Sequence, residues 1–127
     1  MPRVRLEIPL SLPITVTGPR ASRDFEALID TGATYMVISW EDALRLGYEP
    51  QQAPTVPVGT AGGVVDAPLI EVHSVELLGL RRTGVETIVK DLTDVGIAAV
   101  VGWSFLRYFR MTFNPKKMTF AIAEPRA

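Results

Sequence analysis

From Val4 to Val16 every second residue is apolar: Val4, Leu6, Ile8, Leu10, Leu12, Ile14 and Val16. Arg, Glu, Ser, Thr or Pro stand between them. A period of two over this length predicts a half-buried β-strand. Pro9 and Pro13 cannot donate ladder hydrogen bonds, so parts of the strand are expected at an edge or a bend. "TGPRASRD" (17–24) has the chemistry of a turn, and "FEALID" (25–30) reads as a second strand antiparallel to the first.

The same pattern of short strands recurs along the chain. "YMVIS" (35–39) reads as a strand. Ser39 with Asp42 three residues on is a capping-box-like start for a helix over "WEDALRL", and Gly47 is placed to end it. "TVPVG" (55–59) and "VVDAPLIEV" (64–72) flank "TAGG", a hairpin with a glycine-rich tip. "HSVELLG" and "VETIVKD" continue as strand, turn and strand, and "AAVVG" (98–102) is a short buried strand. "WSFLRYF" (103–109) suits one or two helical turns, and "FRMTF" and "MTFAI" alternate around "NPKK" as a closing hairpin. Many short strands and two short helices make the class mostly β, a barrel or a sandwich.

At 127 residues the expectation is one domain spanning 1–127, with a real core. Hydrophobic residues at 47% and charged residues at 21% argue against disorder. A net charge of −1 removes any overall pull toward nucleic acid or an anionic membrane, so neither is expected as a partner. With no cysteine there are no disulfides and no thiolate metal sites. "MPRVRLEIPLSLP" lacks the apolar stretch of a signal peptide, and charges or Gly/Pro interrupt every hydrophobic run before it reaches membrane-spanning length. A cytoplasmic location is the resulting expectation.

The residues that carry chemistry begin at "LIDTGAT" (28–34). Asp30 follows two apolar residues, and a carboxylate at the end of a buried strand is costly unless something uses or satisfies it. Asp-Thr-Gly is a common turn tripeptide, in which an Asp often caps its own backbone. Here the setting is strand, tight loop, strand, with the carboxylate at the loop apex. Gly32 lets a backbone approach closely, and Thr31 offers a hydroxyl to the loop.

"ALIDTGATYMVIS" together with "AVVGWSFLRYFRMTF" resembles the retropepsin-like aspartic proteases, the single-domain relatives of pepsin. The likeness runs over about residues 4–122 in element order. It implies an all-β, acid-protease closed barrel lobe with one or two short helices, and the hairpin "VPVGTAGGVVDAP" falls where that family places its flap. It implies hydrolysis of peptide bonds by a water activated between two aspartates that share a proton, with neither metal nor other cofactor. Like charges that close cannot both ionise cheaply, so the pair titrates as a unit. None of the other aspartates (Asp24, Asp42, Asp66, Asp91, Asp94) has an Asp-Thr/Ser-Gly context. One chain therefore offers one such carboxylate, and the expected enzyme is a two-fold homodimer, each subunit giving one Asp30.

Carried over by residue, the resemblance makes Asp30 the catalytic acid/base and Thr31 the hydroxyl that reaches across to the partner loop. Gly32 offers backbone contacts to substrate, and Ala33 keeps the loop close-packed. Thr60, Ala61, Gly62 and Gly63 form the flap tip that closes over an extended peptide. Val100 and Val101 buttress the loop, and Gly102 permits a tight crossing. The viral enzymes of this class carry acidic residues where this chain has Thr34 and Tyr35, so Thr34 joins the expected substrate-binding set with altered contacts. No aromatic residue stands at the flap tip. The match is closer to the cellular and bacterial branch.

Two rivals stand beside the protease. One is a non-catalytic dimerisation or peptide-binding module that keeps the fold. The other is an unrelated small β-barrel in which Asp30 is only a turn cap. His73, the only histidine, sits in a strand pattern and reads as structural; one His without Cys is poor material for zinc. No nucleophile-elbow sequence supports a serine triad. "GTAGG" lacks the lysine and following helix of a phosphate loop.

Overall fold

The computed structural model describes residues 2–126. Twelve elements position the site: β1 (Arg3–Arg5), β2 (Ser11–Thr17), β3 (Ser22–Ile29), β4 (Met36–Ile38), α1 (Trp40–Leu46), β5 (Thr55–Thr60), β6 (Gly63–Leu77), β7 (Leu80–Val89), β8 (Ala99–Val101), α2 (Trp103–Leu106), β9 (Arg110–Asn114) and β10 (Thr119–Ala123). Short 3-10 turns lie at Pro50–Gln52 and Thr93–Val95. No helix among the described residues is long and apolar enough to cross a membrane.

Six strands close on themselves in the order β2, β3, β8, β4, β7, β6, with β6 returning to pair with β2. This is the barrel form of the all-β expectation. Closure leaves no edge within the ring. β6 is long enough to serve twice. Its second half lies in the barrel, between β7 and β2, while its first half pairs with β5 to make a hairpin that projects from the ring.

The alternation over 4–16 is divided between two sheets rather than forming one strand. β1 pairs with β10 in a three-stranded terminal sheet, and β2 pairs with β3 in the barrel. The chain changes sheets across residues 6–10, where Pro9 has no N–H to give to a ladder. Leu6 and Leu10 still enter the core, so the pattern persists, but Ile8 is 84% exposed.

The short central strands are apolar runs because both of their faces are covered. Met36 and Ile38 of β4 point into the main core, beside Phe105, Leu106 and Phe120. Val37 between them joins a second cluster with Ile88, Leu92, Ala67 and Val100. β8 divides in the same way, with Ala99 and Val101 in the main core and Val100 in the second cluster. Local chemistry ends α1 as expected. Ser39 Oγ accepts from Asp42 N at 3.1 Å, and Gly47 takes the left-handed conformation (φ 102°) that stops the helix.

Candidate active site

β3 and β8 run parallel, with Ile29 opposite Val101, so their carboxyl ends emerge side by side. Asp30 is the first residue past β3, and Gly102 the first past β8. This adjacency joins two segments some seventy residues apart in the chain. Asp30 N donates to Val101 O at 2.9 Å, Trp103 N to Ala33 O at 2.8 Å and Ser104 N to Thr34 O at 2.9 Å. Ser104 Oγ, buried, accepts from Met36 N at 2.8 Å, and Trp103 Nε1 donates to Thr31 O at 2.6 Å. The 30–35 loop is thus pinned along its length to the start of α2.

Gly102 makes this crossing possible. A Cβ there would stand 2.5 Å from Ala33 O and would also collide with Tyr35 O. Both are backbone atoms, with no flexible side chain to move aside.

The Asp30 carboxylate is half-buried. Its Oδ1 accepts from Gly32 N at 2.8 Å, and its backbone carbonyl accepts from Ala33 N at 3.1 Å. The turn-capping geometry expected of Asp-Thr-Gly is therefore present, and it occupies one carboxylate oxygen. Thr31 and Gly32 are exposed at the apex.

Asp30 opens onto a cleft of about 480 Å³. Gly32, Ala33, Thr34 and Tyr35 form one wall, and Val37, Ile88, Leu92 and Val100 form an apolar floor. The β5–β6 hairpin contributes to it through β5. Thr60 pairs with Gly63 across the two-residue loop Ala61-Gly62, and Thr60 Oγ1 donates to Gly63 O at 2.7 Å. The strand residues Pro57, Val58 and Gly59 line the cleft, whereas Thr60, Ala61, Gly62 and Gly63 lie beyond it at the hairpin end. Val64 beside the tip is 74% exposed.

Asp30 is the only carboxylate lining the cleft among the described residues. Three of the other aspartates are engaged elsewhere: Asp24 accepts from Thr15 Oγ1, Asp42 accepts from the α1 N-cap Ser39 Oγ, and Asp91 accepts from Thr93. His73 lies on β6, its backbone N–H donating to the Tyr48 hydroxyl at 2.9 Å, away from the cleft. Sequence reasoning passed over Lys90, which lines the cleft, and the tethers from Trp103 and Ser104 to the loop. The strand alternation of "TIVKDL" held a signal for Lys90, because it shares a side with Ile88 and Leu92.

The profile of the family described as "Aspartyl protease" matches residues 12–105. That span holds both the Asp30 loop and the crossing at Gly102. Among curated proteins, none matches the chain. Among solved structures, a retropepsin-like aspartic protease from Rickettsia conorii is similar, with a TM-score of 0.67 at 20% identity, over 95% of this chain and 88% of that one. At that identity the likeness speaks for the fold, and the family profile speaks for descent. This chain belongs to the aspartyl protease family and has the retropepsin-like fold.

Proposed function

We propose that residues 1–127 form one lobe of a homodimeric aspartic endopeptidase, in which two Asp30 carboxylates, one per subunit, activate a water for attack on a peptide bond. The observation that carries this reading is the lone carboxylate. Asp30 is held at the start of a pinned loop and lines the cleft, with no second acid lining it among the described residues. The chemistry needs two carboxylates that share a proton, one accepting it from water and the other supporting the oxyanion. A two-fold axis beside the loop supplies the second from an identical chain. Thr31, exposed next to Asp30, is free to reach the partner loop. Gly32, Ala33 and Thr34 offer backbone to an extended peptide, and Thr60, Ala61, Gly62 and Gly63 close over it from the hairpin end.

The test is cleavage of a diverse peptide mixture, read by mass spectrometry from mildly acidic to neutral pH. Wild type runs beside Asp30→Asn, which keeps the shape and removes the shared-proton chemistry. Loss of general acid/base catalysis lowers the rate by roughly 10²–10⁴-fold, so cleavage is expected from wild type alone. Sedimentation should show a dimer for both. Equal cleavage by both proteins, or an active monomer, overturns the reading.

A further inference from the structure

Lys90 directly follows the last residue of β7, and it lines the same cleft as Asp30. Strand alternation accounts for its direction. Val89 packs into the main core, whereas Ile88 and Leu92 belong to the cluster under the cleft, so Ile88, Lys90 and Leu92 share the cleft side. The Lys90 backbone N–H donates to Ile38 O at 3.0 Å, which carries the sheet register one residue past β7.

The side chain is half-buried, and among the described residues it makes no salt bridge. The two acids that follow it do not serve. Asp91 accepts from Thr93 N at 2.9 Å and from Thr93 Oγ1 at 2.5 Å, and Asp94 is exposed in the next turn. The cleft that Lys90 lines is lined also by the apolar Val37, Ile88, Leu92, Val95 and Ile97. Asp30 lies on the same cleft but not within salt-bridge distance of Lys90, so the ammonium has no paired carboxylate and favours an anion that enters. A cleft of about 480 Å³ has room for substrate side chains.

We propose that the cleft beside Asp30 contains a subsite for an acidic side chain, with Lys90 as its counter-charge. The substrate class is then an extended peptide carrying Glu or Asp close to the scissile bond. The methylenes of that side chain lie along Ile88 and Leu92, and its carboxylate meets the ammonium. The assignment rests on the aspartic endopeptidase reading. In a two-fold dimer the subsite occurs twice, so an acidic residue is favoured on each side of the bond.

The test separates binding from cleavage. Immobilised Asp30→Asn protein is incubated with a randomised octapeptide mixture, and the retained peptides are sequenced by mass spectrometry. The same is done with Asp30→Asn/Lys90→Met and Asp30→Asn/Lys90→Glu. A charge-assisted hydrogen bond in a partly desolvated site corresponds to enrichment of about tenfold. Peptides with Asp or Glu at a fixed position should be enriched on the first protein. That enrichment should vanish on the second and give way to Lys or Arg on the third. No acidic enrichment on the Lys90 protein, or equal enrichment on the Lys90→Met protein, overturns the subsite. Wild-type cleavage of the same mixture distinguishes the two readings. Cleavage without acidic selectivity overturns the subsite and supports the protease. Lys90-dependent acidic capture without cleavage supports the subsite and overturns the protease.

Discussion

Gly102→Ala adds one methyl group at the point where two chain segments cross. The new Cβ would lie 2.5 Å from Ala33 O and would also press on Tyr35 O. That is about 1 Å short of a normal van der Waals separation. Relief requires the 30–35 loop and the start of α2 to part. Parting them strains the bonds from Trp103 N to Ala33 O and from Ser104 N to Thr34 O. Overpacking costs about 1–3 kcal/mol, and each weakened hydrogen bond adds about 1 kcal/mol. The expected loss is about 2–5 kcal/mol, out of the roughly 5–15 kcal/mol that holds a protein of this size together. The assay is urea unfolding followed by the fluorescence of Trp40 and Trp103, with Gly59→Ala as control. A Cβ on Gly59 meets nothing within 4 Å, so the control should stay within about 0.5 kcal/mol of wild type. A Gly102→Ala protein as stable as that control would refute the argument, because the carbonyls would then move aside freely.

Other perturbations probe the same scaffold. Ser104→Ala leaves the buried Met36 N–H without its acceptor, and should cost about 1–3 kcal/mol in urea unfolding with faster exchange of the Met36 amide. Trp103→Phe removes the N–H held by Thr31 O. It should cost about 1 kcal/mol and speed amide exchange at Gly32 and Ala33. The third concerns pH. The Arg82 guanidinium, hydrogen-bonded to Glu124, holds that carboxyl below its ordinary value. A depressed carboxyl binds its proton more readily in the unfolded chain, so its contribution is present above the unfolded pKa and is lost as pH falls through the folded one. Glu124→Gln should therefore lower stability at neutral pH, with the gap to wild type closing in acid. Because the pair is exposed, the gap should also shrink in high salt.

How much was legible in the chain varies by element. Ser39 and Gly47 marked the ends of α1, because a cap is a contact between residues three or four apart. The hairpin tip within TAGG was equally plain from its own residues, although the pairing of Thr60 with Gly63 shortens the loop itself to Ala61-Gly62. The apolar run in β8 was read as a buried strand, but its neighbours were not legible. Its parallel pairing with β3 joins residues some seventy positions apart, and nothing local records that. The alternation through Ile8 misled for the same reason. The pattern reports which side chains are apolar, while the change of sheet at Pro9 depends on where β10 lies.

The candidate site divides along the same line. Asp30, Thr31 and Gly32 stood out because a carboxylate placed after buried strand residues needs a local reason. Lys90 and the tethers from Trp103 and Ser104 did not, since a lysine or serine in a strand-and-turn pattern looks like any surface residue until the barrel closes. Most strands, the caps and the one carboxylate loop followed from chemistry among near neighbours in the chain. Which strand ends emerge together was settled by the closed barrel, and with it the packing of Gly102 under the 30–35 loop and the meeting of Asp30 and Lys90 on one cleft. Strand pairing and closure are set by long-range packing, in which each partner's choice depends on all the others.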